Sequence, residues 1–581
     1  MTCLSVLTII ALLQSLTDAR DQRPRASDGH SLLTVSKPRR PVALVQSDDN
    51  ERLFVANRRT GTITIVDLRR LQPIAEFPIA RQLADLVPGP RPHLLLAVDR
   101  RANELLSVEE RGSTLRVVER LSVPKDPVTV ACAADRRYAA VASLWSRQLT
   151  IVAFGSDGRA KTSGMVYLPF EPRSQLIVNH IAIVGDAFGG QLGIVDLEAA
   201  NLKCVHSVPG HNVGGLALSH DRQKLWLAHQ KLDPHAQTTV DDIHWGNLIS
   251  NNLRRLSLRD VLSDKPDILA SAHLYELGSI GRGAADPNGI AVAGNGTMVV
   301  ALSGSGEVAL GSPDEGDWAR LSTGHQPTAL CLSHNGLQAF VVNTLSDSVS
   351  IVDVRRRALV ANIPLGPPAK LGPADHGEVL FHDARLSHEG WFSCHSCHAD
   401  GHSNGGLNDN LTDGSYGTPK RVLSLLGVRD TAPYAWSGSV PSLSAQIRKS
   451  IHTTMRGREL STEQVQDLEA YLRSLDPPPP LAPRNAATGR GKMVFETQRC
   501  ARCHEPPTYT SAHAYDVGLR DEAGTSMFNP PSLRGVSHGK AFFHDGRAHN
   551  LEAVFKTHHH GLHDALSSND VADLIEFLRT L

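Results

Sequence analysis

Two five-residue stretches in the last third of the chain have the residue types and spacing to hold an iron cofactor. They are Cys394-His395-Ser396-Cys397-His398 and Cys500-Ala501-Arg502-Cys503-His504, each of the form C-x-x-C-H. Two thiols on one helical turn can bond to one porphyrin, and the adjacent histidine can bind its iron. The motifs predict two covalent c-type haems, attached through Cys394, Cys397, Cys500 and Cys503 with His398 and His504 as proximal ligands.

The spacing is specific enough to exclude coincidence. With 8 Cys and 28 His in 581 residues, random order gives on the order of 0.005 such motifs per chain. The alternatives are a structural zinc site and a thioredoxin-like dithiol. Zinc would use four ligands and would not need histidine after both pairs, while a dithiol would need one pair following a βαβ pattern. The two motifs therefore indicate haem attachment rather than a zinc site or a dithiol.

Composition and the N-terminus indicate an exported protein. The 59 Lys+Arg against 60 Asp+Glu give a formal charge of -1, which offers no basic surface to nucleic acid. The apolar stretch Leu4 to Leu16, followed by Thr17-Asp18-Ala19, predicts a signal peptide over residues 1–19. No later segment reaches about 18 uninterrupted apolar residues, so we expect no membrane span after signal removal. We expect a periplasmic or otherwise exported location.

A loose repeat precedes the two motifs, after a lead-in over residues 20–39 that we expect to be disordered. Its clearest copies run from Pro41 to Asp67 and from Pro327 to Asp353, and weaker copies start further inside the chain. A repeat of roughly 40–45 residues built from four short strands is typical of a propeller blade. Residues 40–366 therefore predict an all-β propeller of about seven blades. A pair of β-sandwiches is the alternative fold.

The repeat resembles the YVTN-type propeller family in its first and last copies, through Phe54-Val55-Ala56-Asn57 and Phe340-Val341-Val342-Asn343. One segment, Leu232 to Leu256, interrupts the rhythm and carries several His and Asp side chains, among them His244. Insertions of this length usually lie on one face and meet a partner. Two readings stay open, a solvated loop and a loop that packs on the haem domains.

From residue 370 the chain changes to helices joined by Gly- and Pro-rich loops. We expect two all-α cytochrome c domains over 370–476 and 486–581, joined by a stiff Pro-rich linker over 477–485. The two units repeat one plan, because each closes with a helix of similar pattern, Ser461 to Leu475 and Ser567 to Leu578. The fold class is thus a propeller followed by two duplicated haem domains.

This C-terminal part resembles the bacterial di-haem cytochrome c peroxidase superfamily. The matching segments are Gly377 to Ser387, both haem motifs, Pro531 to Val536 and Phe543 to Gly546. The resemblance implies a small redox protein as electron donor or acceptor. It also allows hydrogen peroxide as a substrate and calcium between the haem domains. It further implies a role in electron transfer for Trp436, although Ser437 replaces the aspartate of the family's pattern.

The sixth ligand of each iron decides between electron transfer and catalysis. In cytochrome c folds it comes from the stretch before the last helix. The candidates for the first haem are His452 and Met455, and those for the second lie at His558 to His560, with His558 and His560 preferred. The duplication carries His452 onto His558 or His560, which favours His452 over Met455. A five-coordinate first haem is the other possibility.

Peroxide cleavage needs a proton shuttle beside the iron. The peroxidase family has a distal acid there, whereas residues 450 to 457 contain Arg456 and no acid. His402 and Arg456 are the candidates for this role. The expected function is an exported, peroxidase-like di-haem oxidoreductase. The alternative is a non-catalytic electron-transfer cytochrome that docks through its propeller.

Overall fold

The computed structural model describes residues 37–155, 158–411 and 414–581. The signal peptide expected over residues 1–19, and most of the lead-in expected over 20–39, lie outside these residues. Arg39, at the end of that lead-in, is 1% exposed and forms an ion pair with Glu76 at 2.8 Å. Arg39 is therefore packed against the propeller.

Seven four-stranded antiparallel sheets follow one another along the first two thirds of the chain. Each sheet is a meander in chain order, and we number these sheets as blades 1 to 7. Their strands are Pro41–Gln46, Arg52–Asn57, Thr62–Asp67 and Gln72–Pro78 (blade 1); Leu83–Pro88, Leu94–Asp99, Glu104–Arg111 and Thr114–Ser122 (blade 2); Pro127–Cys132, Tyr138–Ser143, Gln148–Phe154 and Ala160–Tyr167 (blade 3); Pro172–Val178, Ile181–Asp186, Gln191–Asp196 and Asn201–Ser207 (blade 4); Leu216–Leu218, Lys224–Leu232, Ile249–Ser257 and His273–Glu276 (blade 5); Pro287–Val292, Met298–Leu302, Glu307–Ser312 and Asp317–Ser322 (blade 6); Pro327–Leu332, Gln338–Asn343, Ser348–Asp353 and Ala358–Pro364 (blade 7).

The blades form a closed ring, which confirms the seven-bladed propeller and excludes the sandwich alternative. The first strands of successive blades contact each other, and Pro327–Leu332 of blade 7 contacts Pro41–Gln46 of blade 1. The asparagine that ends the repeat motif has a structural role. Asn57 donates from Nδ2 to Thr62 and Thr64 at 2.9 and 2.8 Å, and Asn343 donates in the same way to two serines. This asparagine thus stabilises the turn between the second and third strands in both blades.

The insertion in blade 5 packs on the C-terminal part. It contains the short helix Val240–His244, capped by the Thr239 side chain. Ile243 and Leu248 are each 1% exposed, and they share one apolar core with Trp391 and other residues of the C-terminal region. Of the two readings of this segment, the structure supports the one in which it meets the haem-binding part.

Two helix pairs organise the C-terminal part. The helices there are Pro373–Phe381, Cys394–Cys397, Leu443–Lys449, a π-helical turn Ser450–Thr454, Thr462–Ser474, Ala486–Thr497, Leu551–Lys556 and Ser568–Leu578. The first helix packs against Thr462–Ser474, and Ala486–Thr497 packs against Ser568–Leu578. The remaining strands are the pairs Leu407–Asn408 with Lys420–Arg421 and Tyr515–Asp516 with Met527–Phe528.

The same close contact recurs in both helix pairs. A Cβ on Gly377 would overlap the carbonyl oxygen of Asp467, and a Cβ on Gly491 would overlap that of Asp573. Glycine at these positions therefore lets the two helix backbones approach closely, which is consistent with the predicted duplication. None of the described helices is long and apolar enough to cross a membrane.

Candidate functional site

Both C-x-x-C-H motifs line one continuous cavity of about 1230 Å³. Pockets for drug-sized molecules are usually ~300–1,000 Å³, so this cavity is larger than a single small ligand needs. Its walls include Cys394 and Cys397 with His398, and Cys500 and Cys503 with His504. All four thiols are free of disulfides. The fold thus brings together two motifs that are about a hundred residues apart in sequence.

Propeller residues contact the first motif on the side away from the cavity. Ser396, between the two cysteines, is fully buried and donates from Oγ to Asp286 at 2.5 Å. Its carbonyl accepts from His211 Nε2 at 3.1 Å and from Asn212 Nδ2 at 2.9 Å. Burial raises the pKa of Asp286, and the hydrogen bonds from Ser393 and Ser396 oppose that shift. These contacts leave the two cysteines on the cavity side of the helix.

The second motif places two imidazoles at the spacing that one metal ion requires. His504 and His560 lie with ring centroids 6.5 Å apart. Two imidazoles on opposite sides of one metal would have centroids about 6.4 Å apart, given metal–nitrogen bonds of ~2.0–2.1 Å. His504 Nδ1 donates to the Tyr509 carbonyl at 3.1 Å, which leaves Nε2 free. Burial lowers the pKa of both histidines, that of His504 to about 4.

Of the histidine cluster before the last helix, His560 has the position of a ligand. It lines the cavity, and its buried Nδ1 has no hydrogen-bond partner among the described residues. His558 does not line the cavity, and His559 lines it but is exposed. The ring of Phe543 contacts both His558 and His560, with centroids 5.3 and 5.2 Å apart. The residues around the second motif therefore fit a haem whose iron has histidine on both sides.

Around the first motif the structure reverses the preference between the two candidate ligands. Met455 is 4% exposed and lines the cavity, whereas His452 is exposed and does not. The reason is the π-helical turn Ser450–Thr454, which directs Ile451 and Met455 inward and His452 outward. Position in the cavity wall therefore favours Met455 as the candidate sixth ligand, whereas the duplication favoured His452.

The two candidates for proton transfer have different positions. His402 lines the cavity, and its Nδ1 is 3.0 Å from Ser424 Oγ. Burial lowers its pKa to about 3. Arg456 does not line the cavity; it donates from Nε to the Thr238 carbonyl at 2.6 Å and from Nη2 to Tyr416 at 2.7 Å. Arg456 therefore ties the π-helical turn to the propeller insertion, and of the two candidates only His402 lines the cavity.

Trp436 lies between the two halves of the cavity. Its indole Nε1 donates to the Arg421 carbonyl at 2.9 Å, and its own carbonyl accepts from the Asn529 amide at 2.7 Å. Its ring is 6.4 Å from that of His544 and 5.4 Å from the Arg421 guanidinium carbon. One side chain thus contacts both haem-binding units.

Two charged residues of the cavity wall, Arg421 and Glu171, could not be identified from sequence patterns. Arg421 is buried over Trp436, and burial lowers its pKa to about 10. Glu171 of the propeller is fully buried; it accepts from Arg147 Nε at 2.7 Å and lies 3.0 Å from His538 Nδ1. Glu171 and His538 are 367 positions apart, so no local pattern could have paired them. Arg147 and Glu171 belong to the propeller and His538 to the second haem-binding unit, so this buried cluster joins them.

Comparison with known proteins confirms the resemblance of the C-terminal part. Residues 373–476 match the family described as di-haem cytochrome c peroxidase. The hydrazine synthase subunit gamma of Kuenenia stuttgartiensis is 25% identical over 37% of this chain and 79% of its own length. The methylamine utilization protein MauG of Methylorubrum extorquens is 24% identical over 35% and 76%. The cytochrome c551 peroxidase of Nitrosomonas europaea is 23% identical over 42% and 91%.

Solved structures give more distant similarity. A hydrazine synthase structure of Kuenenia stuttgartiensis covers 56% of this chain and 99% of that chain, with a TM-score of 0.47 and 16% identity. The β-propeller domain of Cps50 (Swd1) from Myceliophteria thermophila covers 54% and 97%, with a TM-score of 0.41 and 10% identity. The cytochrome resemblance therefore depends on the sequence matches, and the propeller is evident from the strand order itself.

Proposed function

We propose that this protein is an exported di-haem c-type oxidoreductase of the cytochrome c peroxidase type, which relays electrons between two covalent haems. The observation that carries the proposal is the single cavity of about 1230 Å³ lined by both C-x-x-C-H motifs, with Trp436 between them. A protein with two independent electron carriers would not need a shared cavity. The electron donor or acceptor is a small redox protein.

The residues that would hold the cofactors follow from the geometry. Cys394 and Cys397 would bond the first porphyrin and Cys500 and Cys503 the second, with His398 and His504 as proximal ligands. Met455 is the candidate sixth ligand of the first iron and His560 that of the second. When bound, each haem supplies an iron that changes oxidation state by one electron.

The protein's own groups then orient and connect the two sites. The hydrogen bond from Trp436 Nε1 to the Arg421 carbonyl orients the indole ring, and the Asn529 amide holds the Trp436 backbone. Cationic side chains also line the cavity and suit the carboxylates that haem carries, since guanidinium pairs with carboxylate in a bidentate way. They are Lys420, Arg421, Arg499, Arg502, Arg534 and Lys540.

In peroxide reduction, His402 would take up a proton and pass it on, and the protons consumed would come from solvent. The cavity-lining side chains of the segment Leu443–Met455 are all apolar or neutral: Leu443, Gln446, Ile447, Ser450, Ile451, Thr454 and Met455. His402 is the histidine bonded to Ser424 in the same wall, and its lowered pKa keeps it a neutral proton acceptor at pH 7.

A second function is favoured by a specific observation. His560 is spaced from His504 as a ligand on the same iron would be, and the buried thioether of Met455 is available to the other iron. If both irons are six-coordinate, the protein transfers electrons without binding peroxide. This alternative assigns the propeller to partner docking.

One set of measurements tests the proposal and separates the two functions. Protein from a cytochrome-maturing host should carry two haems by mass and by pyridine haemochrome absorbance. The double variants Cys394→Ala/Cys397→Ala and Cys500→Ala/Cys503→Ala should each carry one. A high-spin band in the ferric or mixed-valence spectrum, followed by peroxide-dependent oxidation of a reduced small cytochrome, supports the oxidoreductase. Low-spin bands alone with no turnover support the electron carrier, and colourless protein contradicts both.

A further inference from the structure

Three metal-ligating side chains meet where the propeller insertion touches the C-terminal part. They are His244, at the end of the insertion helix, and His388 and Glu389, just before the first haem motif. Their ligand atoms all lie within 4.8 Å of one another. His244 Nδ1 is 2.8 Å from Glu389 Oε2, and His388 Nε2 is 3.6 Å from Glu389 Oε1. Two imidazoles from different parts of the fold thus point at one carboxylate.

We propose that His244, His388 and Glu389 bind a divalent transition-metal ion of the zinc type. Two histidines and one carboxylate with an open position are an established ligand set for zinc and for other divalent transition metals. Calcium does not suit this site, because it prefers six to eight oxygen ligands. The calcium that the resemblance allows is therefore a separate expectation.

The distances between the ligand atoms would let an ion bind after small shifts of the side chains. Ligand atoms on a tetrahedral metal with bonds of ~2.0–2.1 Å are about 3.3 Å apart. Glu389 Oε1 lies 3.0 Å from His244 Nδ1 and 3.6 Å from His388 Nε2, and these two separations bracket that value. The side chains are 36%, 31% and 25% exposed for His244, His388 and Glu389. Water can therefore reach the site and serve as a fourth ligand.

The backbone around the site supports the same arrangement. Glu389 adopts a left-handed φ of 53° and its carbonyl accepts from the Gly283 amide at 2.9 Å, so its side chain is held towards His244. A Cβ on Gly281 would lie 3.7 Å from Glu389 Oε1 and 3.8 Å from the His244 ring. Gly281 has a φ of 72°. A larger residue there would occupy the space next to Glu389 and His244.

A backbone hydrogen bond links the proposed ion site to the wall of the haem cavity. The His388 amide donates to the Met455 carbonyl at 2.8 Å. Met455 in turn ends the π-helical turn whose side chains line the cavity. A bound ion would therefore fix the insertion, the segment before the first motif and the Met455 turn relative to one another.

The test uses the full-length, haem-loaded protein. After chelator treatment it is dialysed against zinc chloride, and bound zinc is measured by elemental analysis. Wild type should retain one zinc per chain more than His244→Ala, His388→Gln or Glu389→Gln, and zinc should raise the melting temperature of the wild type but not of these three variants. His235→Ala removes an exposed histidine of the same insertion and serves as the matched control, so it should retain zinc as the wild type does.

The result that overturns the proposal is equal zinc content and equal thermal response in the wild type and in all three variants. Loss of zinc from His235→Ala would also overturn it, because binding would then depend on a histidine outside the cluster. Haem content measured on each sample reports folding. Only variants that carry the same haem content as the wild type are compared, and Glu389→Gln disturbs the fold least because it keeps the shape of the side chain and removes its charge.

Discussion

The rings of His504 and His560 lie 6.5 Å apart, and the Nδ1 of His504 is occupied by the Tyr509 carbonyl. The Nε2 of His504 is therefore the nitrogen left for the iron. If both histidines bind the iron, as proposed, the second haem would be six-coordinate, and bis-histidine ligation gives a lower reduction potential than histidine with methionine. Several measurable consequences derive from this pair and from its neighbours.

His560→Ala should open the sixth position of the second haem. Because the imidazole that faces His504 is removed, part of the low-spin ferric spectrum should convert to high spin. Electron paramagnetic resonance of the oxidised protein measures this change. His558→Ala is the control, since His558 does not line the cavity, and a conversion in that variant instead would show that the assignment of the ligand is wrong.

Met455→Ala should change the coordination of the first haem, whereas His452→Ala should not. The thioether is buried in the cavity wall and the imidazole is exposed. Loss of a methionine ligand should also lower the reduction potential of that haem, because methionine raises it. Spectroelectrochemical titration of both variants checks this. A shift in His452→Ala with none in Met455→Ala would restore the duplication-based choice.

Trp436→Phe should slow electron transfer between the haems while both remain attached. Phenylalanine keeps an aromatic ring but cannot donate to the Arg421 carbonyl. The unpaired carbonyl should also cost about 1–3 kcal/mol of stability. Stopped-flow reduction followed at the two haem bands measures the transfer rate. An unchanged rate at normal haem content would leave Trp436 with a packing role alone.

Glu171→Gln should destabilise the junction between the propeller and the haem-binding part. Burial alone would raise the pKa of Glu171, but the hydrogen bond from His538 and the charges of Arg147 and Lys540 outweigh it and lower the pKa from 4.5 to about 2. Removing one partner of such a buried pair costs about 3–5 kcal/mol. Urea unfolding at pH 7 measures the loss. Glu552→Gln, in an exposed pair with Lys556, should cost under about 1 kcal/mol.

The same carboxylate gives a pH dependence of known sign. The folded-state pKa of Glu171 lies below its ordinary value, so its contribution to stability is complete above pH 4.5 and is lost as the pH falls towards 2. Unfolding free energies measured across this interval should fall less steeply with acid in Glu171→Gln than in the wild type. Parallel curves for the two proteins would contradict the assignment.

Gly491→Ala should destabilise the second helix pair, because its Cβ would overlap the Asp573 carbonyl. Overpacking of this kind costs about 1–3 kcal/mol. Gly489 lies on the same helix with no atom near the place of its Cβ. Gly489→Ala should therefore stabilise the protein by about 0.5–1 kcal/mol through helix propensity. Melting temperatures compare the two, and equal destabilisation would refute the close-contact explanation.

The sequence carried the features that depend on local spacing. The haem motifs are five residues long, and the pattern of the blade repeat predicts where its strands lie. Both features can therefore be predicted from the sequence. The signal of the propeller comes from alternation within each strand and from the asparagines at Asn57 and Asn343. These interactions lie within a few residues of one another, where periodicity is informative.

The parts that sequence missed depend on turns and on long-range contacts. The duplication placed His452 opposite the histidine cluster because it assumed equal spacing in both units. The first unit instead continues Leu443–Lys449 into a π-helical turn, while in the second the helix ends at Lys556. That difference changes which side chain faces inward. Arg456 and Glu171 acquire their partners only through packing between the propeller and the C-terminal part.

The burial of Ser396 against Asp286, His211 and Asn212 also has a consequence for how the protein is made. During synthesis the propeller emerges before the first haem motif, so its binding face is ready when that motif appears. Once the motif has docked, an attachment enzyme can no longer surround it. If haem is bonded at this motif, as proposed, its attachment would therefore be favoured before docking, because docking buries Ser396 of the motif against the propeller.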